Sequence, residues 1–310
     1  MESENYIYIE DLKFNIDNLN IIRLSKEENE VFKFFSEANR NIQEIEKLFN
    51  IYRCNLNIML DSIDIKCTDE IIAKNTYYQS EYIVVNTLLV NLISSGKTLI
   101  EAIEKFTNFI DDKETSKIKF KDNWISKIYD TSFAYRFLIF LRNYSQHGNI
   151  PVSNDYSNQY CFSLDKILNT KSFNFNKNIK TEMDELRIAV YNKFHNYPNL
   201  SFSSTVIDYN YYIHLLYFNY YKSIRNVIYD MFKKVKCIIK ENPNLIHHEI
   251  KEIDNRIVFY DDEDTIHIYP NDDSFLQTFD EYKHEARIFL KKEEKEKNRI
   301  RKKFNVINLE

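Results

Sequence analysis

The stretch Leu141-Arg142-Asn143-Tyr144-Ser145-Gln146-His147-Gly148 decides the fold of this chain, because it closes an apolar run with helical spacing. Apolar side chains recur every three or four residues along that run, at Phe133, Phe137, Phe140, Leu141 and Tyr144. This spacing predicts a core helix from Asp130 to His147 that carries polar groups in its last turn. Gly148 is the expected terminator, since glycine adopts the left-handed conformation without steric cost, and Pro151 prevents the helix from resuming.

Composition favours long helices over a turn-rich β fold. The 310 residues include only two glycines and four prolines, which is few for a protein with many tight turns. Helical periodicity predicts further helices at about 26–63, 78–110, 178–197, 205–241 and 274–303. Ser25 and Glu28 form a capping-box pattern before the first of these. Alternating or β-branched stretches predict short strands within 5–25, at 160–164, and in a hairpin of 256–260 with 265–269.

These elements predict a mainly α protein: a helical bundle with long helices and a small α/β addition at the C-terminal end, made of the hairpin and a charged helix. We expect three parts along the chain. Residues 1–74 form an N-terminal segment with short strands and a long helix, residues 75–242 form the helical domain that contains the motif, and residues 243–310 form the addition.

Charge and cysteine content indicate a cytoplasmic protein without a global nucleic-acid surface. The net charge is −5 and the pI is about 5.9, which disfavours a constitutive, sequence-independent nucleic-acid binder but not an enzyme with one small phosphate-contacting site. The four cysteines have no Cys-x-x-Cys spacing, so we expect neither a zinc ribbon nor a disulfide framework. The acidic N-terminus is unlike a signal peptide, and the uncharged apolar run 82–96 is too short to span a bilayer. We therefore expect no membrane association.

Several other patterns favour structural explanations. Ser94-Ser95-Gly96-Lys97-Thr98 is similar to the end of a phosphate-binding P-loop, but Asn91 replaces the first glycine and the run lies in a helical pattern. His247-His248-Glu249 lacks the i, i+4 histidine spacing of a metal site. The acidic run 261–264 could hold a cation, but we expect it to be an exposed hairpin turn. His195 and His214 lie in aromatic helical surroundings and are expected to be structural. We expect no metal and no cofactor.

The terminal segment 291–303 holds eight basic and three acidic residues. It is either a solvated helix end, a contact in a larger assembly, or a contact with RNA backbone.

The order Arg142-Asn143-x3-His147 resembles the catalytic motif of the HEPN superfamily, Arg-polar-x(3–5)-His, with Asn143 in the polar place. The resemblance covers about 75–235, and the string from Phe133 to His147 is also similar to a family of uncharacterised bacterial proteins. It implies a small helical bundle and a metal-independent RNA endonuclease, acting in phage defence by abortive infection or as a toxin. It also implies an antitoxin or another defence-system protein as a partner.

The residue types fit this chemistry. Histidine transfers protons because its ordinary pKa lies near neutrality, and arginine donates paired hydrogen bonds to phosphate while staying charged. The hypothesis makes His147 the general acid/base, Arg142 the phosphate clamp and Asn143 the positioning group, with Tyr144, Gln146 and Lys97 contacting substrate. The structural alternative is that Arg142 pairs with a carboxylate and His147 merely caps the helix.

Helical geometry adds a prediction about quaternary structure. Positions 142 and 147 diverge by roughly 140° on an undistorted helix, so one copy of the motif does not direct both side chains at one phosphate. HEPN ribonucleases typically join two motif copies in one cleft, and Tyr135, Leu138 and Ile139 make the other face of the motif helix apolar too. We therefore expect a homodimer built around 78–110 and 130–147.

Two other functions stay open. One is a non-catalytic HEPN-like scaffold that dimerises and binds a partner protein or a nucleotide. The other is a nucleotide-binding regulator that works beside a separate nucleotidyltransferase, since this chain has no nucleotidyltransferase signature.

Overall fold

The computed structural model describes residues 25–63, 81–113, 117–154, 160–170, 177–194, 199–241, 256–260, 266–270 and 273–304. Its α-helices are α1 (Lys26–Ile63), α2 (Glu81–Lys113), α3 (Ser126–Thr131), α4 (Phe133–Gln146), α5 (Leu164–Leu168), α6 (Lys177–Phe194), α7 (Phe202–Glu241) and α8 (Ser274–Phe304). A π-helical turn, Lys121–Ile125, precedes α3. The strands are β1 (Val152–Asn154), β2 (Tyr160–Ser163), β3 (Asn199–Ser201), β4 (Arg256–Tyr260) and β5 (Ile266–Pro270).

The described chain is mainly helical with small β additions, which confirms the predicted fold class. β1, β2 and β3 form an antiparallel sheet in that order, with Val152 opposite Phe162 and Phe162 opposite Leu200. β4 and β5 form the predicted antiparallel hairpin, with Arg256 opposite Pro270. The predicted strand at 160–164 is confirmed as β2. Of the range 5–25, in which short strands are expected, all but Ser25 lies outside the described residues.

The capping box at the start of α1 is confirmed. The backbone N–H of Ser25 donates to the Glu28 carboxylate at 2.7 Å, and the backbone N–H of Glu28 donates to the Ser25 hydroxyl at 3.2 Å. Each side chain thus satisfies a backbone donor that the first helical turn leaves without a partner.

The motif helix is shorter at its N-terminal end than the sequence predicts. Ser132 is extended, with φ −111° and ψ 107°, and separates α3 from α4. Its hydroxyl accepts the backbone N–H of Tyr135 at 3.1 Å, which makes Ser132 the N-cap of α4. The predicted single helix from Asp130 is therefore wrong, because a local serine cap interrupts the apolar periodicity.

The other end of α4 agrees with the prediction. The last helical residue is Gln146, and Gly148 has a φ of 80°. This is the left-handed region in which glycine is favoured because it has no Cβ.

The chain divides into two compact units. One comprises Ile45–Tyr220 and Ala286–Glu310, and the other comprises Met1–Glu44 and Tyr221–Glu285. The first unit contains α4 and is called the motif unit below. The predicted boundaries after residues 74 and 242 stay predictions, since both fall in segments outside the described residues.

Within the motif unit, α4 is a core helix that packs against α2. Phe137 lies edge-on to Phe162 of β2, with ring centroids 5.3 Å apart, and Tyr135 stacks on Tyr209 of α7 at 5.9 Å. Gly96 of α2 lies close to Tyr209 and Tyr52, so close that a Cβ at this position would collide with the Tyr209 hydroxyl. The absence of a side chain at Gly96 thus permits the approach of α2 to α7.

In the described part of the chain, one helical segment, Ile83–Lys113 of α2, is long and apolar enough to cross a membrane. Half of its most apolar window is buried within the chain. Core helices of folded domains reach the same length and composition, so the cellular location stays a prediction.

Candidate functional site

Three hydrogen bonds close the end of α4 that carries the motif. The backbone N–H of His147 donates to the Asn143 carbonyl at 3.2 Å, and that of Gly148 donates to the Ser145 carbonyl at 3.0 Å. The Asn149 side chain donates to the Tyr144 carbonyl at 3.1 Å. Carbonyls that a helix end leaves without intrahelical partners are therefore satisfied locally, and the last turn has a defined geometry.

The motif residues divide into an outward set and an inward set. Asn143, Gln146 and His147 are exposed, and Arg142 is half-buried. Tyr144 is only 2 % exposed, and its hydroxyl lies 2.9 Å from the hydroxyl of Thr170. Tyr144, predicted to contact substrate, therefore belongs to the core side of α4, whereas Gln146 lies on the same exposed helix end as His147.

Arg142 extends toward the aromatic core. Its Nε is buried and has no hydrogen-bond partner among the described residues. Burial raises the pKa of Tyr209 well above its ordinary value and the nearby Tyr135 raises it further, while the Arg142 charge lowers it. Arg142 therefore acts electrostatically on a fully buried tyrosine. In the described ranges no carboxylate pairs with Arg142, so the ion pair of the structural alternative stays a prediction.

Lys97 lies in a different place from the motif. It belongs to α2 and pairs with Glu101, one helical turn on, at 3.4 Å. It lines a cleft of about 330 Å³ to which α4 contributes Tyr135 and Ile139, and none of Arg142, Asn143 and His147 lines this cleft. The structure thus does not join Lys97 to the other predicted site residues.

The P-loop-like run 94–98 is a helix interior, as the sequence predicts. The hydroxyl of Ser95 donates to the Leu92 carbonyl, and the hydroxyl of Thr98 donates to the Ser94 carbonyl, both at 3.0 Å. These side chains bond to their own helix.

The chain itself covers much of the second apolar face of α4. Tyr135 and Leu138 are buried, and Ile139 is partly buried. Burial of this face was the reason to expect a second subunit there. The second apolar face of α4 therefore no longer supports the prediction of a homodimer. That prediction now rests on the different directions of the Arg142 and His147 side chains around the helix and on the family resemblance.

A buried polar network, which the sequence did not indicate, crosses the motif unit. The Tyr52 hydroxyl donates to the Asn210 side-chain oxygen at 2.9 Å, and the Asn210 amide donates to Glu293 of α8. Burial raises the pKa of Glu293. A sequence feature that could have indicated this network is a pair of polar residues, Asn210 and His214, which are spaced by four on the core face of α7.

His214 is structural, as predicted. It is buried, and its Nδ1 lies 2.9 Å from the Asn210 carbonyl one turn earlier. Burial lowers its pKa to about 4, against a smaller opposite effect of that hydrogen bond, and the charges of Arg53 and Lys292 lower it further.

The remaining metal and nucleophile candidates give no further site. His195, the run 247–249 and the acidic run 261–264 lie outside the described residues. Across the ranges that the structure describes, no three His, Cys, Asp or Glu side chains are placed to hold a metal ion. Cys54, Cys161 and Cys237 form no disulfide bond there.

Comparison with known proteins adds no relative: no family model, no curated protein and no solved structure matches this chain. The resemblance to the HEPN superfamily rests on the motif at the end of α4, and the function is a proposal.

Proposed function

We propose that this protein is a metal-independent RNA endonuclease of the HEPN type that acts in phage defence or as a toxin. The observation that carries the proposal is the end of α4, where exposed Asn143 and His147 side chains and the half-buried Arg142 occupy one hydrogen-bonded helix terminus. A core helix with defined caps at both ends fixes the backbone that carries these side chains, and a preorganised site requires such a scaffold.

The chemistry is an attack of the RNA 2′-oxygen on the adjacent phosphorus. The 2′-hydroxyl loses its proton to a base, the bond from phosphorus to the 5′-oxygen breaks, and an acid gives that oxygen a proton. The products are a 2′,3′-cyclic phosphate and a 5′-hydroxyl. His147 carries out the proton transfer, Arg142 stabilises the charge on the phosphoryl oxygens, and Asn143 orients His147 or the ribose.

Two proton-transfer groups are needed at once, and one motif contains a single histidine. A homodimer with a composite cleft supplies a second copy of His147 and also relieves the divergence of Arg142 and His147 within one helix. Light scattering at micromolar concentration tests this part of the proposal, because a strict monomer that cleaves RNA would contradict the composite site.

The decisive experiment measures cleavage of labelled single-stranded RNA in EDTA by wild type, Arg142→Ala and His147→Ala. His284→Ala and Arg40→Ala are the matched controls, since both are exposed residues of the same type on other helices. We expect cleavage to persist in chelator, to fall by about 100-fold or more in the two motif variants, and to stay unchanged in the controls. Equal activity in His147→Ala and wild type would refute the proposal.

The alternative is a non-catalytic scaffold that binds a partner protein or a nucleotide. The buried Nε of Arg142 favours it, because this side chain then contributes to core packing. Under this alternative, phage resistance or growth arrest is unchanged in His147→Ala, and no RNA is cut.

A further inference from the structure

The last turns of α8, residues 291–302, have an exposed basic face. Its members are all exposed: Lys291, Lys292, Lys295, Arg299 and Lys302. At 100° per residue they fall within an arc of roughly 100°, and they extend over about 16 Å along the helix axis. We call this surface the α8 basic face.

The opposite side of the same turns is fixed to the motif unit. Lys297 is 7 % exposed. Its ammonium lies 3.9 Å from the Asp208 carboxylate and 4.3 Å from the Tyr211 ring centroid. Glu293 accepts a hydrogen bond from Asn210. Because these buried polar contacts fix the rotation of α8 about its axis, the basic face is held toward solvent before any partner arrives.

Most of the cations on this face are not neutralised. Arg299 pairs with Glu296 at 2.6 Å. Within the part of the chain that the structure describes, Lys291, Lys295 and Lys302 form no ion pair. Three or more cations in a row thus concentrate positive charge on one helix, although the net charge of the chain is −5. Such a row of cations attracts a linear polyanion.

We infer that the α8 basic face binds the phosphate backbone of single-stranded RNA. The inference rests on the proposed ribonuclease function and names the surface that holds the substrate, since α4 and 291–302 belong to one compact unit. A membrane surface fits less well, because an interfacial helix needs an exposed apolar face, and Ile300, the one apolar side chain of this segment, is half-buried.

The test measures binding rather than cleavage. Fluorescence anisotropy follows a labelled 2′-O-methyl RNA of about 20 nucleotides, which lacks the attacking hydroxyl and is not cut, from 0.05 to 0.5 M salt. The variant is Lys291→Gln, Lys295→Gln, Lys302→Gln. The matched control is Lys105→Gln, Lys180→Gln, Lys234→Gln, three exposed lysines on other helices with the same change in net charge. Glutamine is nearly as good a helix former as lysine, so both variants keep the fold, which circular dichroism checks.

Each phosphate contact contributes about 0.7 to the slope of log affinity against log salt for a single strand. We expect the α8 variant to lose about 2 from this slope and at least 10-fold in affinity at 0.15 M salt, and the control variant to lose much less.

Three results would overturn the inference: no RNA binding by wild type, an unchanged slope in the α8 variant, or an equal loss in the control. Binding of phosphatidylserine vesicles or polyglutamate in place of RNA, abolished in the α8 variant, would overturn the choice of RNA. Failure of the proposed function looks different, because RNA then binds through α8 while wild type does not cut cleavable RNA.

Discussion

The substitution Gly96→Ala reverses the sign that helix propensity predicts. Gly96 is buried inside α2, where alanine ordinarily stabilises a helix by about 1 kcal/mol relative to glycine. At this position a Cβ would meet the Tyr209 hydroxyl at under 3.0 Å and the Tyr52 ring at 3.2 Å. Tyr209 is fully buried and stacks on Tyr135, so it has little room to move.

Overpacking of this kind costs about 1–3 kcal/mol. Because the collision is with a fully buried ring, we place the cost in the upper half of this range, about 2–3 kcal/mol. After subtraction of the gain of about 1 kcal/mol in helix propensity, we expect Gly96→Ala to lower the free energy of unfolding by about 1–2 kcal/mol. Urea titration followed by circular dichroism measures this value, with the slope checked against wild type so that a change in midpoint reports stability.

Tyr209→Phe provides the matched partner for a double-mutant cycle. The Tyr209 hydroxyl is buried and has no hydrogen-bond partner among the described residues, so its removal costs little or stabilises. In that background Gly96→Ala loses its closest collision and becomes near neutral, which gives a coupling energy of about 1–2 kcal/mol. A Gly96→Ala protein that is more stable than wild type, or a cycle without coupling, would refute the close approach of α2 and α7.

Two further outcomes follow from the caps and the buried histidine. Gly148→Ala should lower the free energy of unfolding by about 1 kcal/mol through backbone strain alone, because the φ of Gly148 is 80° and a Cβ there meets no atom within 4 Å. Gly148→Asn should cost less, and equal melting temperatures for wild type and Gly148→Ala would contradict this. For His214 the pKa in the folded state is lowered to about 4. Between pH 6.5 and 4 the unfolded state therefore binds more protons, and the free energy of unfolding decreases as the pH is lowered. The loss is roughly 3 kcal/mol. The raised pKa of Glu293 changes stability in the opposite direction. The measurement is therefore the difference in free energy of unfolding between wild type and His214→Gln across this pH range. A difference independent of pH would contradict the burial of a neutral imidazole.

The long helices were predictable because their cores and ends are encoded locally. The spacing of apolar residues by three or four predicted the bounds of five long helices to within a few residues: α1, α2, α6, α7 and α8. Ser25 with Glu28 and Gly148 identified two helix ends through side-chain and backbone chemistry that needs no tertiary contact.

Features that depend on distant partners were not predictable in this way. β1 and β3 have three residues each and exist through pairing with β2, so neither has an alternating pattern long enough to detect. The interruption at Ser132 had a local signal, a serine directly before an apolar run, which the stronger periodicity concealed.

The candidate site shows the same division. The exposure of Asn143, Gln146 and His147 follows from their place at a helix end. The approach of Arg142 to Tyr209 and the separation of Lys97 from the motif depend on how α2, α4 and α7 pack. One sequence does not specify that packing, because many arrangements bury the same apolar faces.

The caps of α4 determine which length changes the motif tolerates. Ser132 and Gly148 fix the two ends of a fourteen-residue helix within itself. An insertion before Ser132 therefore leaves unchanged the angular positions of Arg142 and His147 around the axis of α4. A single residue inserted between Phe133 and Leu141 rotates one part of the helix by about 100° relative to the other and moves it along the axis by about 1.5 Å. Among natural homologues and in insertion libraries, length variation should accordingly accumulate outside 132–148 and be absent from its interior.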